Sequence, residues 1–287
     1  MGKVTLLEPG LYTSIQDTGR FGYSCWGIPA SGALDQFSLL MANKLLGNSA
    51  DAACLEITQF GPTLQFSEDT VVLFAGAATP VLLNKGPVHL TNHQRLPIRK
   101  GDTLNIGYLT NGLRSYMAIE GGLQSETKFG SRSQSKGITK FEKLNKLDTI
   151  NYNKAKLLNS PHYAKVKPVF PWMNRKIINV YPGPEFSMLN KNETDILLNS
   201  DFTISQYSNR TAIQLEEKLP NNSEQILTSP VFPGTIQLTP GGKLLILMRE
   251  AQVTGGYPRI FHVKEEDLNL LAQIAPGKKI KLQLVNL

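Results

Sequence analysis

The stretch Pro62-Thr63-Leu64-Gln65-Phe66 alternates apolar and polar residues, and the apolar run Val71 to Phe74 follows it after a polar turn. The same pattern returns 172 residues later in Gly234-Thr235-Ile236-Gln237-Leu238, which a second polar turn separates from the run Leu244 to Leu247. An alternating strand, a turn and an apolar strand together predict a β-hairpin. We therefore expect two copies of one β unit in this chain.

A second pair of matching segments supports a duplication. Lys100-Gly101-Asp102-Thr103-Leu104-Asn105-Ile106 corresponds to Pro276-Gly277-Lys278-Lys279-Ile280-Lys281-Leu282, in each case a turn glycine followed by alternation. Two copies are too few for a solenoid, and the 24 glycines and 17 prolines in 287 residues favour short strands over long helices. The predicted fold class is mainly β with a few helices (α+β), built as two small barrels or one split barrel.

Short β-branched or aromatic segments bounded by Gly, Pro, Asn or Asp predict most of the remaining strands. These segments are Val4–Leu6, Tyr12–Ile15, Leu55–Phe60, Tyr116–Ile119, Ile177–Tyr181, Phe202–Ser205 and Ile260–Val263.

Two helices are predicted. The first has Ser31 as its N-cap and ends at Gly47, because glycine adopts the left-handed conformation that stops a helix. Its buried face is expected to consist of Leu34, Phe37, Met41 and Leu45. The second runs from about Glu265 to Ile274, with three acidic residues in its positive first turn.

The net charge of +7 is concentrated in one segment. Between Lys136 and Lys191 the charges sum to +8, so the rest of the chain is close to neutral. The lysines there follow no helical period and have few aromatic neighbours, which favours a solvated connecting segment over a nucleic-acid surface. The predicted organisation is an N-terminal half over 1–135, a basic connecting segment over 136–169 and a C-terminal half over 170–287.

Composition also limits the class of protein. No apolar stretch approaches the roughly 20 residues of a membrane span, and the first residues do not form a secretory signal. Cys25 and Cys54 are too few for a disulfide scaffold, which predicts a soluble, cytoplasmic protein. His89 and His93 are four residues apart, but the prolines around them argue against the helix that would make them metal ligands, so no metal site is expected.

Two loops combine glycines with charged and amide side chains. The first runs from Gln16 to Tyr23 and continues through Gly27 to Asp35, and the second runs from Arg249 to Pro258. Glycine lets backbone amides approach a ligand, arginine can clamp a carboxylate or phosphate, and carboxylates can transfer a proton. The same glycines and aspartates also serve ordinary turns, and these residues alone do not separate the two interpretations.

The strings in these loops resemble a known family. In order along the chain they are Gln16-Asp17-x-Gly19-Arg20-x-Gly22-Tyr23, Gly27-x-Pro29-x-Ser31-Gly32-Ala33-x-Asp35, Leu55-Glu56, Gly130-Ser131-Arg132-Ser133, Tyr181-Pro182-Gly183-Pro184 and Gln252-x-Thr254-Gly255-Gly256-Tyr257-Pro258. They are similar to allophanate hydrolase subunit 2, also called the C/D subunit of biotin-dependent carboxyltransferases, the family of the KipA-like 5-oxoprolinase C subunits. The resemblance covers nearly the whole chain.

The resemblance implies a fold and a role. It implies two cyclophilin-like β-barrel halves from an internal duplication, and the role of the C subunit in an ATP-dependent 5-oxoprolinase. Such a complex opens 5-oxo-L-proline to L-glutamate with a KipI-like B subunit and a LamB/YcsF-like A subunit, so the C subunit is expected to be inactive alone. Two alternatives stay open: a regulatory KipA-like protein that antagonises a KipI-like kinase inhibitor, and the carboxyltransferase part of a urea carboxylase/allophanate system.

The same strings supply the candidate site. The expected catalytic residues are Asp17, Arg20, Glu250 and Gln252. The expected substrate-binding residues are Gln16, Asp35, Glu56, Gln237, Thr254, Gly255, Gly256 and Tyr257. We expect Arg20 to clamp a carboxylate or phosphate, the two glycine amides to stabilise developing negative charge, and Asp17 or Glu250 to carry a proton. Because copies of a loop in a duplicated protein tend to meet, these residues are expected to face one another between the halves.

Three departures from the family pattern bear on the choice of substrate. The segment Gln134 to Ile138 stands where the family usually has a glycine-rich loop and an acid. Ser208-Asn209-Arg210-Thr211-Ala212 stands where Ser-Asp-Arg-Met-Gly is common, and Glu250 stands where aspartate is common.

Overall fold

The computed structural model describes residues 1–88, 93–153, 175–220 and 225–286. The chain divides into two compact units. The first comprises Met1–Arg20 and Asp35–Met173, and the second comprises Phe21–Leu34 and Asn174–Leu287. The short segment Phe21–Leu34 thus belongs to the second unit, although the chain on both sides of it belongs to the first.

The described part of the first unit contains twelve strands and one helix. In chain order they are β1 (Gly2–Glu8), β2 (Tyr12–Gln16), α1 (Gln36–Leu46), β3 (Cys54–Thr58), β4 (Thr63–Phe66), β5 (Thr70–Ala78), β6 (Val81–Leu83), β7 (Gly86–Val88), β8 (Leu96–Ile98), β9 (Thr103–Ile106), β10 (Thr110–Ile119), β11 (Leu123–Gln124) and β12 (Thr149–Tyr152).

These strands form two antiparallel sheets around one core. Among the described residues, one sheet has the order β11-β12-β1-β4-β9-β6-β7 and the other the order β2-β3-β10-β5-β8. Alternate residues of β1 are buried, and its Leu6 shares a core with Phe66 of the same sheet and with Leu55 and Phe74 of the other. Because two sheets cover one core, their inward-facing side chains are removed from water on both sides.

The first of the two predicted hairpins is wrong in its pairing. Both edges of β4 are occupied, by β1 and β9, and both edges of β5 are occupied, by β10 and β8. A strand has only two edges, so β4 and β5 lie in different sheets even though a short turn joins them. The run β5 is buried along nearly its whole length, as expected of a central strand, and periodicity alone does not reveal its neighbours.

Helix α1 differs from the prediction at its start but not at its end. Its N-cap is Asp35, whose side chain accepts a hydrogen bond from the Ser38 amide, and not Ser31. Gly47 ends the helix as predicted, with φ at +85°. The predicted face is also wrong, since Phe37, Met41 and Leu45 are only half-buried. The buried positions are Ser38, Leu39, Ala42, Asn43 and Leu46.

The buried face of α1 was missed because it includes polar residues. Ser38 Oγ donates to Asp35 Oδ2 at 2.6 Å, and Asn43 Nδ2 donates to the Ala52 carbonyl at 2.7 Å. Polar side chains can be buried when their hydrogen bonds are satisfied, so hydrophobicity alone indicated the wrong side of the helix.

The described part of the second unit contains nine strands and two helices. In chain order they are β13 (Ile177–Pro182), α2 (Lys191–Asn199), β14 (Asp201–Thr203), β15 (Ala212–Lys218), β16 (Ser229–Pro230), β17 (Thr235–Leu238), β18 (Lys243–Leu247), β19 (Thr254–Gly255), β20 (Arg259–Val263), α3 (Glu265–Leu271) and β21 (Lys279–Leu284).

One larger sheet and one two-stranded sheet form the described β structure of this unit. The larger has the order β14-β21-β13-β20-β17-β18-β15, and the smaller pairs β16 with β19. The predicted second hairpin is confirmed, because β17 pairs with β18 and places Ile236 opposite Ile246. The second matching segment is also confirmed: Gly101 and Gly277 have φ of +87° and +79°, and strands β9 and β21 follow them.

Helix α2 was not predicted, although its sequence carries a start signal. Asn190 accepts from the Glu193 amide at 2.9 Å, while the Glu193 carboxylate accepts from the Asn190 amide at 2.8 Å. This reciprocal capping box satisfies two amides that a helix start leaves without partners. Helix α3 is confirmed from Glu265, and it ends three residues before the predicted position.

The unit boundaries differ from the predicted halves in two places. The segment Phe21–Leu34 lies in the second unit, and part of the predicted basic connecting segment lies in a sheet of the first. Strand β12 pairs with β1, and Ile150 and Tyr152 of β12 are buried in the core. This short alternation was obscured by the lysines that precede it. Residues 154–169 of that segment lie outside the described residues.

The seven short segments predicted as strands coincide, apart from their ends, with β1, β2, β3, β10, β13, β14 and β20. The chain is therefore mostly β, as predicted. Among the described residues, no helix has the length and apolar character that crossing a bilayer requires. His89 lies outside the described residues.

Candidate functional site

Asp17, at the end of β2, accepts four hydrogen bonds from its own unit. Its Oδ1 accepts from Ser131 Oγ at 2.6 Å, from Ser133 Oγ at 2.5 Å and from the Gly19 amide at 2.8 Å. Its Oδ2 accepts from the Arg132 amide at 2.6 Å. Three of these donors meet Oδ1 and one meets Oδ2, so both carboxylate oxygens have partners within the protein. Asp17 therefore joins its own turn to the segment Gly130-Ser131-Arg132-Ser133.

Arg20 and Gln16 support the same junction. Arg20 is 2% exposed, and its Nη2 donates to the Ser133 carbonyl at 2.5 Å. Gln16 is fully buried, and its Nε2 donates to the Gln134 carbonyl at 3.0 Å. Gln134 in turn accepts from the Ile15 amide through its side chain, at 2.9 Å. The departure from the family pattern at Gln134 thus has a local role, since this residue fastens the loop to β2.

Asp35 and Glu56 meet through a tyrosine that sequence analysis did not select. Tyr116 of β10 donates from its hydroxyl to Glu56 Oε2 at 2.7 Å and accepts from the Asp35 amide at 2.8 Å. All three residues are fully buried. Burial, reinforced by the two nearby carboxylates, raises the pKa of Tyr116 well above its ordinary value. The phenol therefore keeps its proton and acts as a donor to Glu56.

A second arginine lies beside this buried carboxylate. Arg114 Nε is 3.9 Å from Glu56 Oε1, and the Arg114 side chain is 11% exposed. Tyr116 and Arg114 both belong to β10, which pairs with β3 and so places them next to Glu56. The only signal in the sequence that could have found them is their position on a strand adjoining the Leu55-Glu56 string.

In the second unit, Gln237 is the centre of the predicted substrate-binding group. It is fully buried on β17, and its Nε2 donates to the Tyr257 carbonyl at 3.3 Å. Gln252, which is exposed, donates from Nε2 to Gln237 Oε1 at 3.5 Å. A Cβ atom at Gly255 would lie 2.7 Å from Gln237 Nε2, so the absent side chain makes room for this amide.

The two consecutive glycines of this loop take part in backbone pairing. Gly255 lies in β19, where it is opposite Ser229 of β16, and the Gly256 carbonyl accepts from the Ile226 amide at 3.0 Å. Neither glycine is among those with positive φ. They are therefore part of a strand-like ribbon, and their backbone does not form the alternating-handed nest that binds phosphate. Thr254, in the same ribbon, is exposed.

Glu250 forms an ion pair with Arg210, which lies within the segment Ser208 to Ala212. Arg210 Nε donates to Glu250 Oε1 at 2.7 Å, and Arg210 Nη2 donates to the Gly32 carbonyl at 2.6 Å. Nothing in the sequence connects positions 32, 210 and 250, because the contact depends on the segment 21–34 belonging to the second unit.

A further ion pair, between Arg259 and Glu185, was not predicted from the sequence. It supports the Gly255 ribbon, which is the two-stranded sheet of β16 and β19. Arg259 donates to Glu185 from Nε at 2.9 Å and from Nη2 at 2.7 Å, and its Nη1 donates to the Pro230 carbonyl of β16 at 2.8 Å. The hydrogen bonds from Arg259 hold the pKa of Glu185 below its ordinary value. Glu185 follows the string Tyr181-Pro182-Gly183-Pro184, so its position next to that string was the available signal.

The structure thus brings the predicted residues together in three groups. Gln16, Asp17 and Arg20 form the first, Asp35 and Glu56 the second, and Gln237, Gln252 and Gly255 the third, whereas Glu250 pairs with Arg210. The fixed amide of Gln237 and the exposed amide of Gln252 can donate to and accept from a small polar ligand. The charged candidates Asp17, Arg20 and Glu250 already have protein partners.

Comparison with known proteins identifies the class to which this arrangement belongs. Residues 26–284 match the family described as carboxyltransferase domain, subdomain A and B. The chain belongs to this carboxyltransferase-domain family, as the resemblance of its strings had indicated.

The individual relatives include 5-oxoprolinase C subunits and a urea amidolyase. The chain is 34% identical to the 5-oxoprolinase C subunit of Escherichia coli over 96% of this chain and 89% of that protein. It is 30% identical to the 5-oxoprolinase C subunit of Haemophilus influenzae over 99% of this chain and 92% of that protein. It is 28% identical to urea amidolyase of Lachancea kluyveri over 96% of this chain but only 16% of that protein.

Solved structures agree with the fold. The crystal structure of TTHA0988 matches 99% of this chain with a TM-score of 0.85 and 28% identity, and this chain spans 56% of the length of that one. The crystal structure of the Kluyveromyces lactis urea amidolyase matches 99% of this chain with a TM-score of 0.87 and 26% identity, across 19% of its own length. The fold therefore also occurs within chains that are much longer than this one.

Proposed function

We propose that this chain is the C subunit of an ATP-dependent 5-oxoprolinase. The complex opens 5-oxo-L-proline to L-glutamate, with a KipI-like B subunit and a LamB/YcsF-like A subunit as partners. In the net ring opening the oxygen of water bonds to the lactam carbonyl carbon, the ring C–N bond breaks, and the nitrogen takes up protons. Amide resonance in the five-membered ring opposes this step, which accounts for the use of ATP.

The observation that carries this proposal is the length of the match to the two 5-oxoprolinase C subunits. Both are matched over about nine-tenths of their own length, so this chain corresponds to nearly the whole of each relative. Urea amidolyase is matched over about a sixth of its length. A chain that corresponds to one whole subunit supports a subunit role more directly than one that corresponds to a fragment of a larger enzyme.

The second unit offers the group best suited to bind a lactam. The lactam ring presents an N–H donor and a carbonyl acceptor, and a primary amide side chain complements both. Gln252 is exposed. The Gln237 amide donates to the Tyr257 carbonyl and occupies the room that the absent side chain of Gly255 leaves. We assign substrate contact to Gln252, with Gln237 orienting it. Glu250, kept in place by Arg210, is the nearest acidic candidate along the chain for a proton transfer.

ATP binding is assigned to one of the partners. The consecutive glycines 255 and 256, whose amides were expected to face negative charge, lie in a strand-like ribbon and lack the positive φ of a phosphate-binding nest. Asp17 and Arg20 bind their own loop, so they are assigned a supporting role for the first unit. Because ATP binds to a partner, the isolated chain is inactive.

The test reconstitutes the complex from three purified subunits and measures L-glutamate release from 5-oxo-L-proline. We expect release to require ATP and all three chains. Gln252→Ala is expected to lower kcat/KM at least tenfold, whereas the matched control Gln283→Ala, an exposed glutamine on β21, leaves it unchanged. Turnover by the two partners without this chain, or by this chain alone, would contradict the proposal.

A second candidate function is carboxyl transfer, which the family match and the urea amidolyase relatives favour. In that reaction the carboxyl group leaves the ureido nitrogen of carboxybiotin and bonds to a nitrogen of urea, and the proton that urea loses is taken up by the ureido nitrogen of biotin. The same purified chain is offered carboxybiotin and urea, and N-carboxyurea is measured. Formation of that product, together with no glutamate release by the three-subunit mixture, would favour this candidate over the first.

A further inference from the structure

Ser31 has an unusual backbone and an unpartnered hydroxyl. Its φ is +54°, a left-handed conformation that a residue with a side chain seldom adopts. The residue is 1% exposed, and among the described residues its Oγ has no hydrogen-bond partner. Asp35 caps helix α1, so Ser31 does not have the capping role that its sequence position suggested.

The segment around Ser31 is held in place by residues of the second unit. The Ser31 amide donates to the Arg249 carbonyl at 2.8 Å, and Arg210 Nη2 donates to the Gly32 carbonyl at 2.6 Å. Arg210 is fixed in turn by Glu250. The strained conformation of Ser31 is therefore maintained by specific contacts on both sides, which is how local strain persists in a folded protein.

Arg249 carries a second buried donor that has no hydrogen-bond partner among the described residues. Its Nη2 donates to Glu265 Oε1 at 2.6 Å, and its side chain is 13% exposed. Its Nε, by contrast, is buried and has no hydrogen-bond partner within the part of the chain that the structure describes. A backbone hydrogen bond joins Ser31 to Arg249, so the two unpartnered buried groups occur on two residues in direct contact.

Such groups are unfavourable unless something satisfies them. A buried donor without a partner loses its hydrogen bond to water and gains none in exchange, and native proteins therefore contain few of them. Here a hydroxyl and a charged N–H are both available, and both can donate to the oxygens of an anion. Both atoms are buried, while the adjoining residues 28–30 are half-buried and residues 24–27 are exposed.

We infer that the Ser31 hydroxyl and the Arg249 Nε–H form a subsite for the carboxylate of a small cyclic-amide acid. The inference rests on the proposed function, since 5-oxo-L-proline is the ligand of this class. In the bound state one carboxylate oxygen accepts from Ser31 Oγ and the other from Arg249 Nε. Arg249 keeps its contact with Glu265, and the Arg210–Glu250 pair keeps the loop in place.

The test measures binding by titration calorimetry on the full chain, by itself and together with its partners. The ligands are 5-oxo-L-proline, its carboxamide, and the free oxyanions bicarbonate and phosphate. We expect 5-oxo-L-proline to bind at least tenfold more tightly than the carboxamide. Ser31→Ala and Arg249→Lys are each expected to abolish that preference, whereas Ser205→Ala, which removes a buried, partnered hydroxyl of the same unit, keeps it.

Thermal unfolding separates a binding role from a structural one. Because Ser31→Ala removes a buried hydroxyl that has no partner among the described residues, we expect its Tm to be equal to or higher than that of the wild type while its affinity falls. A lower Tm with unchanged affinity would overturn the inference, because it would show that the hydroxyl serves only the fold.

The remaining outcomes distinguish the subsite from the proposed function. If the wild type and Ser31→Ala bind 5-oxo-L-proline equally well, the subsite is wrong and the proposed function stands. If bicarbonate or phosphate binds in a Ser31-dependent manner and 5-oxo-L-proline does not bind, an oxyanion subsite is supported and the proposed substrate is wrong. If none of the four ligands binds even in the assembled complex, the subsite is overturned.

Discussion

Arg210 and Glu250 form a buried ion pair, with Arg210 Nε 2.7 Å from Glu250 Oε1 and the two side chains only 8% and 10% exposed. Through the Gly32 carbonyl, the same guanidinium also holds the segment 21–34 in the second unit. A buried charge whose partner is removed is left without compensation, and the loss of stability is typically about 3–5 kcal/mol. Arg210 is the arginine that the family pattern has at this position. Its partner, Glu250, stands where aspartate is common.

Glu250→Gln is expected to lower the free energy of unfolding by about 3 kcal/mol, because the neutral amide leaves the Arg210 charge uncompensated. Urea denaturation followed by circular dichroism measures the change. The control is Glu216→Gln, an exposed glutamate of β15, which is expected to stay within about 0.5 kcal/mol of the wild type. Equal midpoints for the two variants would show that the ion pair adds nothing to stability.

Asp17→Asn is expected to destabilise the first unit by about 2–3 kcal/mol. The new amide group places a donor against either the Arg132 amide or the serine hydroxyls, so at least one hydrogen bond to the former carboxylate is lost. Hydrogen exchange at residues 130–133 is the measurement, and we expect faster exchange there. Exchange that stays at the wild-type rate, combined with lost turnover, would instead assign Asp17 a catalytic role.

Two glycine substitutions are expected to differ in how strongly they lower the stability of the protein. A Cβ at Gly183 would meet the Arg259 carbonyl, which is backbone and cannot move aside, so Gly183→Ala is expected to lower stability by more than about 3 kcal/mol. A Cβ at Gly255 would meet only the end of the Gln237 side chain, which can shift. Gly255→Ala is therefore expected to change Tm by a few degrees at most.

The functional measurement for Gly255→Ala is its affinity for 5-oxo-L-proline. Because Gly255→Ala displaces the Gln237 amide, we expect its affinity to fall about tenfold while most of its stability is kept. Wild-type affinity in this variant would remove Gln237 and the Gly255 ribbon from the proposed site.

Acid stability is expected to depend on Glu185. Arg259 lowers the pKa of this carboxyl from its ordinary value of 4.5, so the unfolded chain takes up a proton at a higher pH than the folded chain does. The stabilisation is fully present above pH 4.5 and is lost as the pH falls below it. Comparing Tm at about pH 7 and about pH 4 measures the effect, and Glu185→Gln is expected to lose less Tm between these two values than the wild type. An equal loss in both proteins would contradict the prediction.

The strands and turns were largely predictable because their signals are local. Short β-branched or aromatic segments bounded by turn residues identified β1, β13 and β20, and Gly47 marked the end of α1 by its own conformational freedom. The pairing of β4 and β5 was not predictable in this way, because it depends on which distant strands occupy their edges. Helix α2 was predictable in principle from Asn190 and Glu193, but its apolar pattern is weak.

For the candidate site, the sequence strings supplied candidate positions but did not indicate which residues those positions contact. Asp17 and Arg20 stand in a glycine-rich loop that resembles a ligand site, yet their hydrogen-bonding groups are directed at residues 128–133. Tyr116, Arg210 and Arg259 were missed because each contacts its carboxylate from another part of the chain. Residue type alone does not say whether a charge faces a ligand or another segment of the protein.

The assignment of residues 21–34 to the second unit has a consequence for synthesis of the chain. Ser31 leaves the ribosome long before Arg249, the residue that fixes its backbone. At translation rates of about 5–20 residues per second, the segment waits roughly 10–40 s for its partner. A fragment beginning at residue 174 lacks the contacts from Ser31 to Arg249 and from Arg210 to Gly32, so it could not complete the second unit by itself.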